Sequence, residues 1–313
     1  MNKTLKTFLV KVLIIMAVLV VVDQGVGVAY KWLRGEALER NPYKENQKLA
    51  FMAEKINTDV VIVGASDASH HYISSMIQDS IGMSVYNCGQ DGCFFIYQNC
   101  AINLMIERYS PKVIIWEMME DCLSGDITSN HEYQSINLLY PYYSNDYCHK
   151  VINEKDKYQR YRMLSMMYRN NSYLRRYIFS LIKSKSSNDS AGYEPLFSAV
   201  DNYPSMLIEK DIHQDINENK VKMLTKTIEN CRNKGVKLVL ASSPGFTDGT
   251  VFSSLQFKKL EEVAADYQLP FIEYYKRQDL FRDSTLFKDV SHLNDKGARV
   301  WMDYFILKMK EVI

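Results

Sequence analysis

The sequence predicts an α/β protein: three layers, α/β/α, around a parallel sheet of about five strands. A transmembrane helix precedes this core and a helical insertion interrupts it. Three observations carry the prediction. Val60-Val61-Ile62-Val63 is an unbroken β-branched run, which suits a strand buried on both faces. Similar short apolar runs recur at 83–87, 112–117, 236–241 and 270–273. Helix-compatible stretches separate them, and alternation of this kind is the pattern of parallel sheets.

Taken in order, the chain begins with Lys3, Lys6 and Lys11, followed by an unbroken apolar run over 12–22. Residues 1–30 are expected to form an uncleaved signal anchor, spanning a bilayer over 7–30 with Asp23 near the far interface. A cleaved signal peptide is the other reading, but no small-x-small site follows closely. The basic start favours a single-pass protein of the inner (cytoplasmic) membrane. Its N-terminus would be cytoplasmic and the rest extracytoplasmic, although Lys31 and Arg34 follow on the far side. Residues 31–57 are polar and read as a stalk. Residues 58–313 form the expected catalytic domain.

In that domain the strand at 59–63 runs into Gly64-Ala65-Ser66, and a short helix is predicted over 73–81. The strand at 83–87 leads to the loop Cys88-Gly89-Gln90-Asp91-Gly92 and a helix over 95–109. Pro111 punctuates the entry to the strand at 112–117. A helix over 215–234 ends at Gly235, a C-cap signal. The strand at 236–241 ends in Ser242-Ser243-Pro244-Gly245. A helix over 253–267, the strand at 270–273 and a helix over 294–311 complete the chain.

A serine just past a buried parallel strand stands at the sheet's carboxyl end, where open α/β sheets bind ligands. Ser66 is the candidate nucleophile, against the bland alternative that it caps the next helix. Ser69 is a weaker rival, one turn later. Near the C-terminus stands Asp289-Val290-Ser291-His292-Leu293-Asn294. The Asp-x-x-His spacing lets Asp289 hold one imidazole nitrogen of His292 while the other faces a nucleophile. The bland alternative is a helix start capped by Asn294. The weaker substrate-binding candidates are His70, His71 and Ser243. Asp67 occupies a helix start, where its charge suits the dipole.

Gly64-Ala65-Ser66, Asn87-Cys88-Gly89 and Asp289-Val290-Ser291-His292 together resemble the SGNH (GDSL-type) hydrolases, in particular a membrane-anchored branch of envelope acyltransferases and esterases. The resemblance covers roughly 59–125 and 213–313. It implies a flavodoxin-like sheet, Ser66 as nucleophile, His292 as base and Asp289 as its orienter. It also implies an oxyanion hole from the N–H groups of Ser66 and Gly89. The family often adds an Asn side chain after the third strand; here Glu117-Met118-Met119-Glu120-Asp121 carries none.

A net charge of +1 argues against a nucleic-acid binder. Six cysteines in 313 residues make no disulfide scaffold, though some of them could pair in an oxidising compartment. No C-x-x-C or Cys/His ligand spacing appears, so neither a metal nor a cofactor is expected.

The insertion, 124–205, is rich in tyrosine and basic: twelve of the chain's 22 tyrosines lie between Tyr133 and Tyr203. Leu174, Tyr177, Ile178 and Leu181 have the spacing of an amphipathic helix. It reads as a helical subdomain, as a glycan-binding wall, or as a contact with anionic lipid. The expected function is O-acyl, most simply acetyl, transfer or ester hydrolysis on an envelope or secreted glycan, or on another acylated small molecule. The alternative is a catalytically silent glycan-binding or assembly protein on the same fold.

Overall fold

The computed structural model describes residues 2–40, 47–119, 121–125, 130–182, 190–197, 215–246, 254–274 and 282–313. The chain divides into two compact units, Met1–Pro42 with Ile136–Ser186, and Tyr43–Ser135 with Ser187–Ile313.

The second unit is the predicted α/β core. Its strands are β1 (Val60–Val63), β2 (Val85–Asn87), β3 (Val113–Glu117), β4 (Lys237–Ser242) and β5 (Phe271–Glu273). They pair in the order β2-β1-β3-β4-β5, every pair parallel. Val60 aligns with Val85 on one side and Val113 on the other, so β1 is central. All four of its side chains are buried, each contributing roughly 1.5–3 kcal/mol of apolar transfer. The strand order reverses beside β1, and such a switch point opens a crevice at the carboxyl ends of the strands.

The helices of this unit are α2 (Lys48–Glu54), α3 (Ser66–His71), α4 (Ser74–Ile81), α5 (Phe95–Arg108), α6 (Asn130–Ile136, whose last residue belongs to the first unit), α10 (Glu218–Asn233), α11 (Leu255–Asp266) and α12 (Asp295–Val312). One core cluster joins β1 and β3 to Trp301, Met302 and Phe305 of α12. Tyr72 meets Trp301 and Phe305 edge-on, with ring centroids 6.0 and 5.1 Å apart.

The first unit contains α1 (Lys3–Arg40), α7 (Asp146–Glu154), α8 (Gln159–Arg162) and α9 (Met166–Ile182). The N-terminal apolar stretch lies in one helix of 38 residues, long and apolar enough to cross a membrane, with a mean hydropathy of 2.6 in its best window and none of that window buried. Asp23 accepts from Ser165 Oγ (2.6 Å) and from the N–H groups of Met166 and Met167 (2.8 and 3.1 Å), so an α1 carboxylate caps α9.

Two local expectations change. The polar stretch 31–57 divides: α1 runs on to Arg40, and residues 48–53 are buried in the second unit. Polarity misled here because the Lys48 ammonium is paired inside rather than solvated. In α9 the buried face carries Asn170, Tyr173 and Tyr177, whereas Ile178 is exposed. Of the expected stripe Tyr177 is buried and Leu174 and Leu181 are half-buried, and the Tyr173 ring stacks on Tyr177 at 5.5 Å. Residues 126–129, 183–189 and 198–205 of the 124–205 insertion lie outside the described residues.

Candidate active site

β1 ends at Val63, and Ala65 takes the cap position of α3 without a side-chain capping bond. Ser66 therefore begins the helix with its hydroxyl uncommitted to capping. A Cβ at Gly64 would lie 2.5 Å from Ala68 Cβ and 2.7 Å from Glu117 Cβ, so the turn closes only with glycine there.

The partner loop is a tight hairpin. Phe287 bridges Leu293, Lys288 N–H donates to the His292 carbonyl at 2.8 Å, and Asn294 N–H donates to the Leu286 carbonyl at 2.9 Å. Asn294 then caps α12 through Gly297 N–H (3.0 Å), so the capping reading of Asn294 holds alongside the role of its neighbours. A Cβ at Gly297 would sit 2.1 Å from the Leu286 carbonyl oxygen, so the hairpin can press onto the helix only over glycine.

At the tip, Asp289 Oδ1 accepts the N–H groups of Ser291 and His292, both at 2.9 Å. Both Asp289 oxygens lie 2.9 Å from His292 Nδ1, and His292 Nε2 lies 2.8 Å from Ser66 Oγ. The structure thus joins Ser66, His292 and Asp289 across 226 positions of sequence. Partial burial resists the charge of Asp289, but the hydrogen bond from His292 and those from the backbone outweigh it and hold the carboxyl below its ordinary range. With Asp289 fixing an Nδ1–H tautomer, Nε2 is left to accept the serine proton. Asp67 Oδ1 also approaches Nε2, at 3.9 Å.

Behind this set runs a buried polar chain. Leu293 N–H donates to His71 Nε2 at 2.9 Å, so the proton of His71 is on Nδ1, which donates to Ser243 Oγ at 2.8 Å. Ser243 Oγ and N–H both reach Glu117 Oε1 at 2.8 Å, and the Tyr72 hydroxyl bonds Oε2. Burial, then the charges of His292 and His70, push the pKa of His71 well down, so it is neutral. Burial, then the Asp67 charge, push Glu117 well above its ordinary range. His71 and Ser243, weak substrate-binding candidates, are buried and bonded to each other, so they support the loop from behind.

His70 is placed differently. Its Nδ1 lies 2.6 Å from the Glu194 carbonyl and its Nε2 3.1 Å from Asp91 Oδ2. Both partners are acceptors, so the ring donates twice and is an imidazolium. Burial opposes this charge, but Asp91 and the Glu194 carbonyl outweigh it and raise the pKa. The ring stands edge-on to His292, with centroids 5.7 Å apart. Ser69, the rival nucleophile, is fully buried and takes Lys48 Nζ at 3.2 Å. Lys48 Nζ also binds the Gly89 carbonyl (2.5 Å) and Glu194 Oε1 (2.7 Å).

Of the two expected oxyanion donors, Gly89 is engaged: its N–H donates to Asn87 Oδ1 at 2.8 Å, while Asn87 Nδ2 donates to the carbonyls of Ala68 and Tyr72. Asn87 is a satisfied bracket between β2 and α3. Ser66 N–H, in the first turn of α3, belongs to the donors that a helix leaves without intrahelical partners. Reading the sequence missed Lys48, Asp91, Glu117 and Glu194 as site neighbours. Glu117 carried a signal, being a carboxylate at the end of an otherwise apolar strand. A cavity of about 280 Å³ opens beside the loop after β3, lined by Phe94, Phe95, Met119, Glu132 and Lys220 among others, but not by Ser66 or His292. Cys88, Cys148 and Cys231 carry free thiols. Burial pushes those of Cys88 and Cys231 up to about 12.

No family model matches the chain, and no curated protein matches it. Among solved structures, one from Bacteroides fragilis, described as a putative acylhydrolase, is similar with a TM-score of 0.43 at 12% identity, covering 85% of this chain and 95% of that one.

Proposed function

We propose that the protein is a serine-dependent acyl-ester enzyme of the SGNH type, with Ser66 as nucleophile, His292 as general base and Asp289 as its orienter. The observation that carries this is His292, bonded through Nε2 to Ser66 and through Nδ1 to Asp289. A serine hydroxyl is a poor nucleophile until a positioned base takes its proton. Here the base is within reach and its other nitrogen is held by a carboxylate.

In the proposed reaction Ser66 Oγ adds to the ester carbonyl while His292 takes its proton. The intermediate collapses to an acyl-Ser66 ester as His292 returns that proton to the departing alkoxide. A second hydroxyl, from water or a sugar, then repeats the sequence and frees the serine. Ser66 N–H is the available oxyanion donor, and Gly89 N–H would serve once released from Asn87.

The substrate proposed is an O-acylated, most simply O-acetylated, envelope or secreted glycan. An N-terminal helix able to hold the enzyme at a membrane supports that setting. Transfer to a sugar hydroxyl is the second reading. The observation favouring it is the segment 190–197, which packs beside the site through Glu194 N–H to Ser69 O (3.0 Å) and Glu194 O to His70. The test supplies an activated acetyl ester with and without candidate oligosaccharides. Ester turnover is expected in either case. Acetylated sugar with slow turnover in water marks a transferase, and fast turnover indifferent to sugar marks an esterase. No turnover under any condition would favour the silent glycan-binding alternative.

A further inference from the structure

We propose that residues 158–167 form a second membrane contact, seated in the lipid interface where α1 emerges, with anionic headgroups as partners. The inference rests on α1 being retained rather than cleaved. The structure supports retention, because α1 is built into its unit. A Cβ at Gly27 would fall 2.5 Å from Met166 Cβ, Tyr30, Ala37 and Leu38 are buried, and Asp23 caps α9.

The depth of 158–167 follows from its contacts with α1. The large apolar residues of α1 are exposed from Leu5 to Val22, apart from the half-buried Val12. At about 1.5 Å per residue this stretch covers most of a hydrocarbon core about 30 Å thick. Asp23 and Gln24, the first polar residues after it, are the ones that touch this segment. Asp23 binds Ser165, Met166 and Met167, and Gln24 Nε2 donates to the Leu164 carbonyl at 3.4 Å. From there α9 runs parallel to α1 and away from the apolar stretch, reaching Arg40 Nη1 through the Leu181 carbonyl at 3.3 Å. Residues 164–167 therefore stand level with the end of the apolar run, and 158–163 lead directly into them.

Their chemistry fits that depth. Leu164 is 69% exposed and Tyr161 56%, with Tyr158 and Met167 exposed as well. Lys157 lies 4.9 Å from the Tyr158 ring centroid and Arg160 4.6 Å from that of Tyr161. Asp156, just before this stretch, is paired with Arg162, and Arg160 Nη2 donates to the Tyr161 hydroxyl at 2.6 Å, so Lys157 and Arg160 each stand with a tyrosine as a place for headgroup phosphates. Exposed tyrosines beside cations and apolar side chains are what an interface binds.

The test uses the full chain in vesicles of phosphatidylcholine and phosphatidylglycerol. The photocrosslinker p-benzoylphenylalanine replaces Phe8, Tyr161, Leu164 or Ile178, one at a time. Lipid adducts are expected at positions 8, 161 and 164. None is expected at 178, twelve residues beyond the start of α9. Adduct yield at 161 should fall when phosphatidylglycerol is omitted. Adducts at 8 but not at 161 or 164 would overturn the contact, as would crosslinks from 161 to a second copy of the chain. Loss of the N-terminal peptide would overturn the retention on which it rests.

Discussion

The backbone N–H of Leu293 donates to Nε2 of His71 at 2.9 Å, which ties the residue after His292 to a side chain 222 positions earlier. His71 is thus a positioning residue. It closes α3, the helix that Ser66 opens, and so sets nucleophile and base against one rigid element.

Replacing His71 by Phe should leave the Leu293 N–H and Ser243 without their partner, at a cost of about 1–3 kcal/mol. It should lower kcat for an activated ester while leaving KM nearly unchanged, because His292 drifts and the ester's binding surface does not. His71→Gln, whose amide oxygen can take the place of Nε2, should recover part of kcat. Steady-state kinetics and urea unfolding check this, and an unchanged kcat in the destabilised Phe variant would reduce His71 to packing.

The three residues of the proposed triad should behave as one unit. Ser66→Ala or His292→Ala should lower turnover by roughly 10⁴–10⁶, and Asp289→Asn by about 10⁴ if it fixes the tautomer, by analogy with serine proteases. The double variant Ser66→Ala/His292→Ala should be no worse than the poorer single one. Additive losses would mean that the residues act separately.

Much of this was legible beforehand because β-branched runs and Asp-x-x-His spacing are local signals. The positions of the five strands and their parallel sheet followed from the runs, and Ser66, Asp289 and His292, singled out by that spacing and the resemblance, do lie together. What escaped was long-range polar pairing. Lys48 sits in a stretch that looks solvated, yet its ammonium is buried against Ser69, Gly89 and Glu194. Glu194 lies in a part of the 124–205 insertion that shows no periodicity. The His71–Ser243–Glu117 chain links three elements by side chains that each have an ordinary local explanation. Periodicity measures which side chains leave water, and it is silent on which buried polar groups find one another.

His70 gives a prediction in pH. Its folded pKa is raised above the ordinary value of 6.5. A raised value means that the folded state holds the proton more tightly. The stabilisation is therefore full below the unfolded pKa and is lost as pH rises through the folded one. His71, with its pKa lowered, runs the opposite way, so wild type alone would blur the effect. The difference between wild type and His70→Gln isolates it. The urea midpoint of wild type should exceed that of the variant at about pH 5.5, and the gap should shrink by about pH 8.5. A gap that widens with pH would contradict the imidazolium.

The apolar stretch of α1 behind Lys3, Lys6 and Lys11 predicts an N-in, C-out orientation. A C-terminal reporter that works only outside the cytoplasm should be active, and one that works only inside should be silent. The reverse pattern would remove both the orientation and the envelope substrate.

The proposed chemistry stands on Ser66 as the nucleophile. Labelling the purified full chain with a fluorophosphonate and mapping the modified peptide tests it most directly. A single adduct on Ser66 is expected, absent in Ser66→Ala and formed far more slowly in His292→Ala. An adduct on Ser69, or ester turnover that survives Ser66→Ala, would contradict it.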